Sequence, residues 1–138
     1  MEDFVPFEIA KKLKEKGFRE PCFGWYYPCE VWGYDYRTLI VFNQSEYRGN
    51  KYKDLLISHN DDKHIDAPTI SQVLKWLRDK FFLHISQKPY ACKDGLMWMY
   101  EIRKFNKRIV LVIANKTGFV EEEEASLAGI EYVLDNLI

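Results

Sequence analysis

The sequence predicts an α+β fold in which three helices pack against an antiparallel sheet of about six strands. Apolar residues recur at helical spacing in three segments, at residues 7–16, 70–81 and 120–136. Aromatic and β-branched clusters fill the stretches between these segments. The predicted order is helix, strands, helix, three-strand meander, helix. Because 138 residues are an ordinary size for one folding unit, we expect a single domain over residues 1–138.

The first two helices have recognisable ends. Pro6 precedes the first helix and Gly17 follows it, which is the common asymmetry between helix starts and helix stops. Thr69 and Gln72 form a capping box, in which the hydroxyl accepts from a backbone N–H and the amide side chain reaches back. The second helix is therefore predicted to begin at Ile70.

The third helix is predicted over residues 120–136 from a single apolar stripe. The stripe consists of Val120, Leu127, Ile130, Val133, Leu134, Leu137 and Ile138. Carboxylates at residues 121–124 occupy its first turns, where they meet the positive end of the helix dipole. These acidic residues therefore have a sufficient structural role.

Short strands are predicted where aromatic and β-branched residues lie between turn-forming residues. Before the second helix, three or four short strands are predicted from the clusters at residues 23–27, 31–36, 39–42 and 55–57. The polar residues 58–66 are predicted to form a connection without regular structure. After the second helix the strands are residues 81–86, 96–103 and 108–114, with breaks at Lys88-Pro89 and Asn106-Lys107.

The composition predicts a cytoplasmic protein that does not enter a membrane. The longest uninterrupted apolar run, residues 109–114, is far shorter than the roughly 20 residues that span a bilayer. The acidic residues 1–12 lack the basic and apolar character of an export signal. Cys22, Cys29 and Cys92 are an odd number of cysteines, which favours free thiols over a disulfide framework.

No catalytic residue, metal ligand or cofactor is predicted. Cys22, Cys29, His59 and His64 are donor types that zinc accepts, but the two cysteines are too far apart for a structural zinc pair. An acidic and histidine-bearing segment leaves open a small metal-dependent hydrolase, provided that its side chains converge. This segment contains His59, Asp61, Asp62, His64 and Asp66.

Nucleic-acid binding is the main alternative function. Since the formal net charge is only −1, such binding would depend on local patches in which cations alternate with aromatic rings. The candidate nucleic-acid-binding residues are Arg48, Lys51, Lys53, Arg103, Lys104, Lys107 and Arg108.

The second half also resembles double-stranded RNA-binding domains in its order of helix, three strands and helix. Those domains present a basic N-terminus on the final helix, whereas residues 121–124 here are all acidic and would repel phosphates.

Large aromatic residues are the candidates for contacts with another protein. Trp25, Trp32 and Trp76 lie among or beside apolar residues, where rings either pack in the core or form an interface. Core packing is the more common role for such residues. A partner protein or a second copy of the chain is the alternative.

Three stretches resemble a family of small uncharacterised bacterial proteins found in prophage and mobile-element settings. They are PFEIAKKLKEKGFREPC at residues 6–22, APTISQVLKWLR at residues 67–78 and EEEASLAGIEYVLDNLI at residues 122–138. The resemblance implies a bacterial cytoplasmic protein with an accessory role in a mobile element, and it supplies no catalytic residue. We therefore expect a non-catalytic accessory or protein-interaction domain that binds another protein or itself.

Overall fold

The structure of the protein is a computed structural model that describes residues 3–26, 39–41 and 65–138. The chain divides into two compact units, Met1–Thr69 and Ile70–Ile138.

Among the described residues the predicted α+β class and its three helices are confirmed. The single sheet of about six strands is wrong, because the described strands form two antiparallel sheets of three strands, one in each unit. Short connections favour such pairing within one half of a chain. The single domain over residues 1–138 stays a prediction.

Helix α1 of the first unit, Phe7–Glu15, confirms the first predicted helix. Pro6 precedes the helix. Gly17 lies two residues beyond its end and has a φ of +89°, which only glycine readily adopts. The N–H of Phe18 donates to the carbonyl of Leu13 over 3.0 Å, which closes the helix in a Schellman motif. Both of these apolar side chains are buried.

A small antiparallel sheet completes the described part of the first unit. Strand β1 is Gly24–Tyr26, β2 is Ile40–Val41 and β3 is Ile65–Ala67, in the order β2-β1-β3. The hydroxyl of Tyr26 donates to the carbonyl of Val5 over 2.9 Å, and α1 packs against β3. The connection predicted over residues 58–66 is therefore wrong at its end, where β3 pairs with β1. The strands predicted at residues 31–36 and 55–57 lie outside the described residues.

The second unit contains two helices and a three-stranded meander. Helix α2 is Ile70–Phe81 and begins at the predicted residue. Strands β4 (Leu83–Cys92), β5 (Gly95–Phe105) and β6 (Val110–Phe119) form an antiparallel sheet in the order β4-β5-β6. Helix α3, Glu122–Asn136, contacts all three strands and also α2.

The strands of the meander are longer than the sequence predicted. Strand β4 continues through Pro89, where a break was expected, because β4 is an edge strand in which a missing N–H is tolerated. The break predicted near Asn106 is confirmed. The side-chain oxygen of Asn106 accepts hydrogen bonds from the N–H groups of Arg108 at 3.1 Å and Ile109 at 3.0 Å. These two bonds fix the turn between β5 and β6.

Helix α3 approaches the sheet through small residues rather than through the whole predicted stripe. Its buried residues are Ala125, Ser126, Gly129, Ile130, Val133 and Leu134. Val120 and Leu137, which were predicted to belong to the apolar stripe, are exposed. A Cβ atom at Gly129 would lie 2.9 Å from Cγ2 of Ile85 and 3.3 Å from Cγ of Tyr100. The absence of a side chain at Gly129 therefore sets the distance between α3 and the sheet.

We expect Gly129→Ala to lower the free energy of unfolding by about 1 kcal/mol. Overpacking against Ile85 costs about 1 to 3 kcal/mol, which exceeds the gain of about 1 kcal/mol in helix propensity. Chemical denaturation followed by circular dichroism measures the change. In an Ile85→Ala background, where Cγ2 is absent, the same substitution should be less costly. Stabilisation by Gly129→Ala in the wild-type background would contradict the close approach.

Candidate interaction surface

An uninterrupted run of exposed apolar side chains begins one residue before β6 and continues through the first half of this strand. These residues, here called the β6 run, are Ile109, Val110, Leu111, Val112 and Ile113. Their side chains are between 40% and 60% exposed. Isolated exposed apolar residues are normal in proteins, but contiguous apolar patches commonly mark interaction sites.

The run is exposed on both faces of the sheet. Leu111 pairs with Lys104, which lies on the same face of β5 as Tyr100 and Ile102. Val110 and Val112 point to the opposite face. Helix α3 packs chiefly on β4 and β5, where its Gly129 lies against Ile85 and Tyr100.

The backbone at this edge also offers hydrogen-bonding groups. The N–H of Asn106 donates to the carbonyl of Ile109 over 3.0 Å, and the N–H of Phe105 donates to the carbonyl of Phe82 over 3.1 Å. Because hydrogen-bonded and non-hydrogen-bonded pairs alternate in an antiparallel ladder, Val110 and Val112 direct their N–H and C=O groups away from β5. In the part of the chain that the structure describes, no strand pairs with this edge.

Two irregularities limit the regular part of the edge. Ile102 pairs with Ala114 and Arg103 pairs with Val112, which leaves Ile113 as the extra residue of a β-bulge. A second irregularity surrounds Gly118, which has φ +97°. The regular edge between the turn and the first bulge is therefore short and centred on residue 111.

Phe82 extends the apolar surface at the end of α2. Its side chain is 55% exposed, and its ring packs edge to face on Phe105 with 6.3 Å between centroids. Phe105 lies opposite Val110 in the ladder. With φ +57°, Phe82 holds a left-handed conformation that is rare for a bulky residue and often found at functional sites.

An ion-pair cluster lies on the same face as Val110 and Val112. The carboxylate of Glu101, with a side chain only 12% exposed, accepts from Nε of Arg103 and from Nζ of Lys88, the latter at 3.2 Å. The hydrogen bond from Arg103, with that from Lys88, holds the pKa of Glu101 below its ordinary range. Glu101 therefore offsets part of the positive charge that Arg103 and Lys88 place on this face of the sheet.

The candidate nucleic-acid-binding residues of the meander do not converge. Arg103 is paired with Glu101, and Lys104 points to the opposite face of the sheet. Lys107 and Arg108 lie in the exposed turn. Arg48, Lys51 and Lys53 lie outside the described residues. The acidic residues that precede and begin α3 are exposed, so they present negative charge where an RNA-binding domain presents positive charge.

Trp76 does not belong to this surface. Trp76 is only 6% exposed, and its ring packs edge to face on Phe81 at 5.1 Å between centroids. Trp25 is half-buried in β1, and Trp32 lies outside the described residues. Sequence reasoning missed the β6 run as a candidate site, although the uninterrupted apolar residues 109–114 were visible as a strand.

The described residues do not assemble a catalytic or metal-binding site. Burial, with the neighbouring carboxylates of Asp66 and Glu20, raises the pKa of the Cys22 thiol, so the thiol stays protonated and donates to the carbonyl of Glu20 over 3.3 Å. Asp66 is buried in β3 rather than placed on a surface loop. The other members of the predicted hydrolase segment, His59, Asp61, Asp62 and His64, lie outside the described residues, as does Cys29. Within the described residues, no group of three metal-binding side chains comes together.

A cleft of about 320 Å³ beside α1 is lined by Pro6, Phe7, Glu8 and Tyr26. Burial raises the pKa of the Tyr26 phenol, and its hydroxyl already donates to a backbone carbonyl. Glu8 is the one carboxylate among these four residues, and Tyr26 is already hydrogen-bonded. These four residues therefore supply no acid–base pair.

Comparison with other proteins adds no functional information. No protein-family model matches the chain, and no curated protein or solved structure is significantly similar to it. None of the described helices has the length and apolar character needed to cross a bilayer.

We expect Glu101→Gln to reduce the dependence of stability on acidic pH. Because the folded-state pKa of Glu101 is lowered, its contribution is fully present above its ordinary pKa of about 4.3 and is lost as the pH falls through the folded value. The stability difference between wild type and Glu101→Gln should therefore shrink on acidification from neutral pH. Urea unfolding at several pH values measures it.

Glu15→Gln, which removes an exposed carboxylate in α1, is the matched control. It should leave the acid dependence close to that of wild type. An equal effect of both substitutions would mean that the ion-pair cluster does not hold the charged form of Glu101.

Proposed function

We propose that the protein is a non-catalytic protein-interaction domain and that the β6 run is its docking surface. The observation that carries this proposal is an exposed apolar strand whose backbone groups at Val110 and Val112 face outward. Partners commonly recognise such edges by adding a strand, in which main-chain hydrogen bonds give affinity and side chains give specificity.

The apolar contribution of the run is large enough for reversible binding. Complete burial of an aliphatic side chain contributes about 1.5 to 3 kcal/mol, so five half-exposed side chains offer roughly 4 to 7 kcal/mol. Association costs at least about 4 kcal/mol in lost rotational and translational freedom. Backbone hydrogen bonds at the edge and contacts with Phe82 add to the favourable free energy of binding. The surface therefore suits a weak or moderate interaction.

The resemblance of residues 6–22, 67–78 and 122–138 to small mobile-element proteins extends the proposal to an accessory role in the bacterial cytoplasm. Nucleic-acid binding is less favoured, because Arg103 is paired with Glu101 and the start of α3 is acidic. A hydrolase is less favoured as well, since Asp66 is buried within a strand.

A capture experiment with matched variants tests the docking surface. Tagged full-length wild type, Val112→Lys and Thr117→Lys are used to capture proteins from the native host, and the captured proteins are quantified by mass spectrometry. Val112→Lys introduces a charge into the run, whereas Thr117→Lys introduces it at an exposed position farther along β6. Charged side chains on edge strands oppose pairing.

A partner retained by wild type and by Thr117→Lys should fall by roughly tenfold with Val112→Lys. Circular dichroism and urea unfolding verify that all three proteins are folded. A set of captured proteins that Val112→Lys leaves unchanged would contradict the proposed docking surface.

A further inference from the structure

We infer that the occupant of this edge is the β6 run of a second copy of the chain, paired antiparallel about a two-fold axis at Leu111. This inference rests on the proposed function and names its partner. The product is a dimer in which the strands run β4-β5-β6-β6-β5-β4 as one continuous sheet. Four observations lead to this arrangement.

The first is that residues 109–113 read identically in both directions, as Ile-Val-Leu-Val-Ile. An antiparallel register centred on Leu111 places Ile109 opposite Ile113, Val110 opposite Val112 and Leu111 opposite its own copy. Each position therefore faces an identical side chain. Pairs of β-branched residues directly across two strands stabilise an antiparallel sheet.

The second observation is the direction in which the N–H and C=O groups of the β6 run point. Val110 and Val112 direct their N–H and C=O groups outward, whereas Leu111 directs its own toward β5. In the register centred on Leu111, Val110 of each copy faces Val112 of the other, and each such pair exchanges two hydrogen bonds. A shift by one residue would place outward-facing groups opposite residues that are already bonded within their own sheet.

The third is the charge at the two ends of the run. The same register places Arg108 opposite Ala114 and Lys107 opposite Asn115, so no like charges meet. A register centred on Val112 would place Arg108 opposite Lys116. Like charges directly across a ladder are destabilising, so charge favours the register that the side chains and the backbone also favour.

The fourth is that the two edges of the sheet differ. Strand β4, at the other edge, contains Pro89, which lacks an N–H, next to the charged Lys88. Proline and lysine are common ways in which edge strands avoid pairing. Among the described strands of this sheet β6 is the open edge, so two-fold pairing joins the open edge of one copy to that of the other. The pairing therefore closes the assembly of this sheet instead of extending it into a filament.

The exposed surface of the run indicates a reversible dimer. Five aliphatic side chains with 40% to 60% exposure amount to roughly 500 Å² per copy, or roughly 1,000 Å² in total, near the lower limit for a specific interface. We therefore expect a dissociation constant in the micromolar range.

Charge complementation at Leu111 tests the register. Sedimentation velocity of the full chain is measured from about 1 to 200 μM for wild type, Leu111→Lys, Leu111→Glu and an equimolar mixture of the two variants. Only a residue on the two-fold axis faces its own copy, so each variant alone brings like charges together and the mixture brings opposite charges together. Thr117→Lys is the control for an added surface charge.

We expect wild type and Thr117→Lys to show a monomer–dimer equilibrium, and each Leu111 variant to dimerise roughly tenfold more weakly. The mixture should regain association. A wild type that stays monomeric, a Leu111→Lys protein that dimerises as wild type does, or a mixture that fails to associate would each overturn the inference. If wild type is monomeric but Val112→Lys still loses a captured partner, the proposed docking surface stands while self-pairing fails.

Discussion

The close approach of helix α3 to strands β4 and β5 is the constraint on which the second unit depends. Gly129 has no side chain, so the helix backbone comes near Ile85 and Tyr100, where even one methyl group would collide. The buried residues of α3 follow from this approach, since small side chains at Ala125 and Ser126 share the contact face with larger aliphatic ones. Interiors are packed densely enough that a single methyl group changes the spacing of two elements.

The same placement explains why β6 carries the candidate site. Because α3 packs chiefly on β4 and β5, Leu111 remains exposed on the face of the sheet that the helix covers, while Val110 and Val112 are exposed on the opposite face. Pro89 makes β4 a poor edge for pairing, whereas the outward groups of Val110 and Val112 make β6 a good one. As the structure describes it, the sheet of the second unit thus has one open edge and one closed edge, and the proposed function depends on that difference.

The helices could be predicted because their signals are local, whereas the sheet and the site depend on contacts distant in sequence. Pro6, Gly17, Thr69 and Gln72 indicate the helix ends through backbone chemistry that needs only neighbouring residues. Strand β3 was missed because its three residues follow a polar segment and gain stability from pairing with β1. The β6 run was visible as a strand, but a continuous apolar run is usually buried, and its exposure depends on which elements pack over each face of the sheet.

Hydrogen exchange at individual amides of β6 measures whether this edge is an open docking strand that a second copy occupies. Exchange is read by NMR for Val110, Leu111 and Val112 at about 20 and 500 μM protein. The predicted result is rapid exchange of Val110 and Val112 in dilute protein and protection at high concentration, with Leu111 protected at both. Exchange of Val110 and Val112 that does not change with concentration would contradict the account.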